Sequence, residues 1–191
     1  MTMALLPKKT RIKYFKDLGL GEYTPNSILK FQKKAFSDPK EHDRKYGVKT
    51  DTALRHWHNV WLICEHFRPE EFKCKCGRCT GYPTQMRVKE LKHIERIREH
   101  YDRPMVITSA LRCEYGNRKV GGVSNSGHLF GRAVDFYMSG VTDTKANRKG
   151  AITYIKKLPN HKYTYGDGID SYGEFVYKPS MGNALHTEVN P

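Results

Sequence analysis

The chain has 191 residues, 38% of them hydrophobic, and a formal net charge of +14 from 34 lysines and arginines against 20 acidic residues. That length suffices for one ordinary domain and a small accessory one, and the hydrophobic share is enough to build a core. The charge favours polyanionic surroundings such as nucleic acid, anionic membrane surfaces or bacterial envelopes, but the absence of any run of five basic residues argues against a disordered nucleic-acid-binding arm.

Residues 1–13 read as a basic leader whose apolar patch is too short for a signal peptide, and no stretch approaches the length of a membrane span. An all-α unit is expected over residues 1–67. Thr24-Pro25 opens a helix with Ile28, Leu29, Phe31, Ala35 and Phe36 at helical spacing. Thr50 caps a second, in which Leu54, Trp57, Trp61 and Cys64 recur at intervals of three or four. Periodicity stops at Phe67-Arg68-Pro69-Glu70-Glu71, where a linker is expected, so a second unit is expected over residues 68–191.

That second unit begins with Cys74, Cys76 and Cys79. Three readings are open for them: a structural metal with Cys64 or Cys113 as a fourth ligand, a disulfide to Cys113, or reduced thiols. Val88, Leu91, Ile94, Ile97 and Tyr101 then mark a helix of about four turns. A helix is expected from about Asp143 to Leu158 closed by Pro159, and short strands with a cleft loop over Tyr163 to Tyr177. The fold class expected is α+β: a small antiparallel sheet with flanking helices, preceded by the all-α unit.

The chemistry concentrates in Ser126-Gly-His-Leu-Phe-Gly-Arg-Ala-Val-Asp135. His128 and Asp135 are a plausible pair of zinc ligands, with Gly131 letting the chain reverse between them. Residues 132–138 alternate, so with Val134, Phe136 and Met138 in a core, Asp135 points toward a cleft. The run Ala184 to Val189 supplies a third ligand. Leu185, Thr187 and Val189 take one face, while His186 and Glu188 take the other, roughly 6 to 7 Å apart. Two histidines and one carboxylate form a common catalytic zinc set with a fourth position left for water.

Ser126, His128, Gly131, Ala133 and Asp135 fill every fixed place of the Ser-x-His-x-x-Gly-x-Ala-x-Asp motif, by which the chain resembles the M15 zinc peptidases. Val106 to Cys113 is similar to the family strand ending in Ser-Gly-Tyr-Arg, with Ala110 and Leu111 in place of Gly and Tyr and Arg112 retained. Met181 to His186 is similar to the segment carrying the last zinc histidine. The resemblance, over about residues 68–191, implies hydrolysis of peptide bonds in bacterial peptidoglycan with Zn2+ held by His128, Asp135 and His186.

Many relatives carry an acid three residues before the last histidine, where this chain has Asn183, so Glu188 becomes the first candidate for general base or for orienting a ligand histidine. Asp167, Asp170 and Glu174 are weaker candidates. Arg112 is expected to grip a substrate carboxylate, and Ser126 to contact substrate near the metal or shape the turn. Residues 31–54 resemble the three-helix peptidoglycan-binding modules of lysins.

The expectation is a monomeric phage endolysin of L-alanyl-D-glutamate endopeptidase type. It is made in the host cytoplasm without a signal peptide and acts on peptidoglycan after release, with no nucleic-acid partner and no membrane span. D-alanyl-D-alanine carboxypeptidase activity and a non-catalytic, zinc-stabilised wall-binding protein are the alternatives. A nucleic-acid-binding zinc knuckle leaves the His128, Asp135 and His186 set unexplained.

Overall fold

The computed structural model describes residues 60, 63–79 and 81–191. The helices expected around Thr24, Thr50, Trp57 and Trp61 therefore lie outside the described residues.

Five antiparallel strands form one sheet in the order β1-β2-β5-β3-β4: β1 (Val106–Ser109), β2 (Ala133–Tyr137), β3 (His161–Gly166), β4 (Ile169–Asp170) and β5 (Leu185–Val189). With helices α1 (Val88–Tyr101), α2 (Glu114–Lys119) and α3 (Lys145–Ile155), the observed class is the expected α+β. Helix α1 forms because Leu91, Ile94 and Ile97 recur on one face; all three are fully buried, and Asp102 ends the helix in a left-handed conformation at φ 44°. Thr144 caps α3 by accepting a hydrogen bond from the Asn147 amide.

The alternation expected in the two motif strands is present. Val134 and Phe136 of β2 and Leu185, Thr187 and Val189 of β5 turn toward the back of the sheet, where α1 packs. Every residue of β5 is nonetheless buried, because β5 lies between β2 and β3 and its front face is covered as well. Behind the sheet, His93 of α1 lies 3.0 Å from Thr187 Oγ1, which lies 3.1 Å from Thr164 Oγ1, which in turn lies 2.9 Å from His161 Nε2. Burial pushes the His93 imidazole down to about 3, so it is neutral in this chain of hydrogen bonds.

The expected linker is a 3-10 turn, Pro69–Phe72, and it is packed into the core. Phe67 and Phe72 meet edge to face at 5.7 Å, and Val60 and Cys64 are buried in the same cluster as Leu91, Leu111 and Phe136. Aromatic residues flanking a proline can end a helix and still bury their rings, which composition alone does not distinguish from a solvated connection.

Glu90, on α1, is fully buried. Burial first, then the negative charges of Glu188 and Asp135, push its carboxyl well above the ordinary value of 4.5, with the Val189 amide opposing. A raised folded-state pKa contributes stability that is complete below the ordinary value and is lost as pH rises through the raised one. Glu90→Gln cannot ionise, so its melting temperature is expected to gain on the wild type progressively as pH rises above about 5. Thermal melts across that range check this, and a difference independent of pH would contradict it.

Candidate metal centre

The register of the sheet assembles the front face row by row. Asp135 of β2 stands directly across from His186 of β5, and His186 across from Tyr165 of β3; in the next row Glu188 lies between Ala133 and Tyr163. Residues directly opposite one another on antiparallel strands share a face, so two of the three predicted ligands are neighbours by pairing alone. A register irregularity between Ile107 and Ser109 brings Ser109 opposite Asp135 and extends the first row.

His128 comes from outside the sheet, on the 3-10 turn Gly127–Phe130, which lies on this front face. The turn closes on Gly131 in the left-handed region at φ 66°, and a Cβ there would lie 2.0 Å from the Gln85 carbonyl oxygen. Only glycine meets both conditions, which is why the motif carries it at this place. Ser126 starts the turn through its backbone: its amide donates to Val123, its carbonyl accepts from Leu129, and its side chain makes no capping bond.

His128 Nε2, Asp135 Oδ1 and His186 Nδ1 converge. Asp135 Oδ1 is 3.3 Å from His128 Nε2 and accepts a hydrogen bond from His186 Nδ1 at 2.7 Å, and the three donor atoms all lie within 4.8 Å of one another. All three residues are buried. Ligands of a tetrahedral ion at 2.0–2.2 Å stand about 3.3 Å apart, so the spacing suits a single metal ion. His128 Nδ1 donates to the Ala110 carbonyl at 2.6 Å, which fixes the tautomer and leaves Nε2 free to ligate. Burial alone would raise the Asp135 carboxyl, but hydrogen bonds and charge from His128 and His186 outweigh it and hold the group well below the carboxylate range. Burial pushes the His128 imidazole down, against the pull of Asp135.

Arg112 is placed on the metal set. Its Nη2 donates to Asp135 Oδ2 at 2.6 Å and its Nε to Ser109 Oγ at 2.9 Å, so it presents the other oxygen, Oδ1, toward the histidines. Its own backbone amide donates to the His128 carbonyl. The loop Ala110–Cys113 therefore holds His128 at two points and Asp135 at one. Arg112→Ala is expected to weaken metal retention by about 10- to 100-fold, the usual effect of losing a group that orients a ligand. Competition with a chromogenic chelator measures this; unchanged retention would contradict it.

Glu188 shares the front face, buried, with its carboxylate against Gly127, where an added Cβ would come within 2.6 Å of Glu188 Cδ. Its Oε1 accepts from Lys162 Nζ at 3.0 Å and lies 3.6 Å from Arg132 Nη2. The weaker candidates shape the neighbouring loop instead. Asp170 accepts from the Tyr163 hydroxyl and from the amides of Tyr172 and Glu174, and Asp167 accepts from the Lys178 amide. Asn183 is exposed.

An aromatic wall not anticipated from the sequence borders the site. Tyr165 stacks on the His186 ring at 4.7 Å, Tyr163 lies 5.3 Å from Tyr165, and Tyr172 stacks on Tyr163 at 5.6 Å. The alternation Tyr163-Thr164-Tyr165 was the available signal. Beyond Tyr172, Phe175 and Tyr177 are also largely exposed. On the other side, Lys73, Lys75, Arg112 and Lys119 line a basic groove that also borders Cys74 and Cys76. The four cysteines of residues 74–113 are gathered together, while Cys64 is buried separately in the core.

Two histidines and a carboxylate converging on the face of a small antiparallel sheet, with the carboxylate braced by an arginine, form the donor set of a metal-dependent hydrolase. The peptidase M15 family model matches residues 65–172, more than half of the chain, and the protein belongs to that family of metallopeptidases. The match encloses Arg112, His128 and Asp135 and stops short of His186 and Glu188. No curated protein and no solved structure matches the chain. No helix among the described residues is long and apolar enough to cross a membrane.

Proposed function

We propose that the protein is a zinc-dependent peptidoglycan hydrolase of the endolysin kind, cleaving the L-alanyl-D-glutamate bond of stem peptides after release from the host cytoplasm. The observation that carries the reading is the convergence of His128 Nε2, Asp135 Oδ1 and His186 Nδ1 within 4.8 Å, in a family of metallopeptidases. A zinc ion held by this set supplies Lewis acidity, which brings the pKa of water down to about 7 and polarises a carbonyl.

The remaining work falls to the chain. Arg112 keeps Asp135 oriented, and the Ala110 carbonyl keeps His128 in the ligating tautomer. Glu188 takes the proton from the attacking water and returns it to the leaving amine, its charge supported by Lys162 and Arg132. Tyr163, Tyr165 and Tyr172 offer ring faces along which an extended substrate can lie, and the basic groove beside Arg112 suits the carboxylates of a stem peptide. The net charge of the chain, +14, points the same way, since the wall is polyanionic.

Digestion of purified sacculi followed by mass spectrometry tests the reading. A new amine on D-glutamate supports the endopeptidase. Release of terminal D-alanine would replace it with the carboxypeptidase, and unchanged fragments together with wall binding would replace it with a non-catalytic module.

A further inference from the structure

We propose that Cys74, Cys76, Cys79 and Cys113 hold a second zinc ion, separate from the His128 set, which clasps segment 73–81 to the loop that carries Arg112. Helix α2 begins at this cluster, with the Cys113 side chain as its N-terminal cap. The sulfurs stand at 3.9 Å for Cys74 and Cys113, 3.6 Å for Cys76 and Cys79, and 3.5 Å for Cys76 and Cys113, and all four lie within 4.8 Å of one another. A tetrahedral ion about 2.3 Å from each sulfur places sulfurs about 3.8 Å apart. A disulfide needs about 2.05 Å, so no pair among the four is bridged. A cluster of several irons spreads its thiolates over different metal atoms and needs a wider cage than this one.

The backbone is arranged for four thiolates. Each sulfur accepts one amide hydrogen bond: Cys74 from Cys113 at 3.4 Å, Cys76 from Arg78 at 3.3 Å, Cys79 from Gly81 at 3.4 Å, and Cys113 from Gly116 at 3.3 Å. Gly77 and Gly81 turn at φ 78° and 96°, bending the chain back over its own sulfurs. Gly116 admits the closest approach, since a Cβ there would lie 3.1 Å from Cys74 Sγ and 3.1 Å from the Cys76 Cβ. Four anions at such distances repel strongly unless a cation lies between them. Sulfur-only tetrahedral sites favour zinc among the divalent ions that prefer soft ligands. Four thiolates and one Zn2+ leave a charge of −2, which Lys73, Lys75 and Lys119 nearby can offset.

The clasp bears on the first site through adjacent residues. Cys113 follows Arg112 directly, and Leu111 donates to the Phe72 carbonyl just before segment 73–81. The ion thus anchors one end of the loop that holds His128 and Asp135. Its presence does not depend on the catalytic reading.

Full-length protein purified with reductant is expected to contain two zinc ions per chain by elemental mass spectrometry. The paired variant Cys76→Ser/Cys79→Ser and the variant His186→Ala are each expected to keep one. Cobalt replacing zinc in wild type should give thiolate-to-cobalt charge-transfer absorption, and His186→Ala should retain it. A wild type without that absorption overturns the proposal, as do rapid alkylation of all four thiols in native zinc-loaded protein or disulfides among them in a non-reducing peptide map. Loss of the His128 set alone would look different: the absorption would persist while the metal count in His186→Ala matched wild type.

Discussion

His186→Ala is expected to reduce hydrolysis of sacculi by at least about 10³-fold, because the acidification of water from 15.7 to about 7 disappears with the ion. The residue stands at the centre of the donor set, across from Asp135 on one side and Tyr165 on the other. Its loss leaves the Asp135 carboxylate with His128 and Arg112 alone, too few donors to retain a divalent ion tightly. A chelator should inactivate the wild type to the same level, and added zinc should restore the wild type but not the variant. Since β5 is the central strand and His186 is buried, the volume-conserving His186→Gln provides a control whose thermal melt should remain close to that of wild type. Activity within tenfold of wild type in either variant would remove His186 from the mechanism.

Glu188→Gln is expected to lower kcat by about 10²- to 10⁴-fold while the protein retains its zinc, as loss of a general base does. The same side chain could instead serve to orient the metal set, and that role predicts a different result: zinc affinity falling by about 10- to 100-fold, with kcat recovering at high zinc. Measuring kcat at saturating zinc alongside a chelator titration separates the two. The placement of Glu188 on the front face, buried, with Lys162 and Arg132 on its Oε1, gives it a charge that two cations support. Near-normal turnover with normal zinc affinity would exclude both roles.

Much of the front face was legible because it is written in local patterns. The period of two over residues 132–138 and 184–189 aims Asp135, His186 and Glu188 to the side opposite the core, and Gly131 marks the reversal after His128. What could not be read is whatever depends on which strands pair. No local period says that β5 inserts between β2 and β3, and only that insertion brings His186 across from Asp135 on one side and from Tyr165 on the other. The grip of Arg112 on Asp135 is of the same kind. Its spacing along the chain resembles any other, and a guanidinium expected to face substrate has its Nε and Nη2 turned onto protein groups. Cys113 joins the three earlier cysteines through folding rather than through spacing, so the sequence left metal, disulfide and thiol all open, with reduced thiols the default. The turn at Pro69–Phe72 buries Pro69 and Phe72, since proline ends a helix without sending the chain into solvent.

Wild-type protein carrying its full complement of zinc, incubated with purified sacculi and then with the chelator-treated protein as control, gives the most direct test. Mass spectrometry of the released muropeptides should show a free amino group on D-glutamate in the zinc-loaded digest and none in the control. Intact stem peptides in both, from protein shown to hold zinc at His128, Asp135 and His186, would contradict a hydrolytic role for that site.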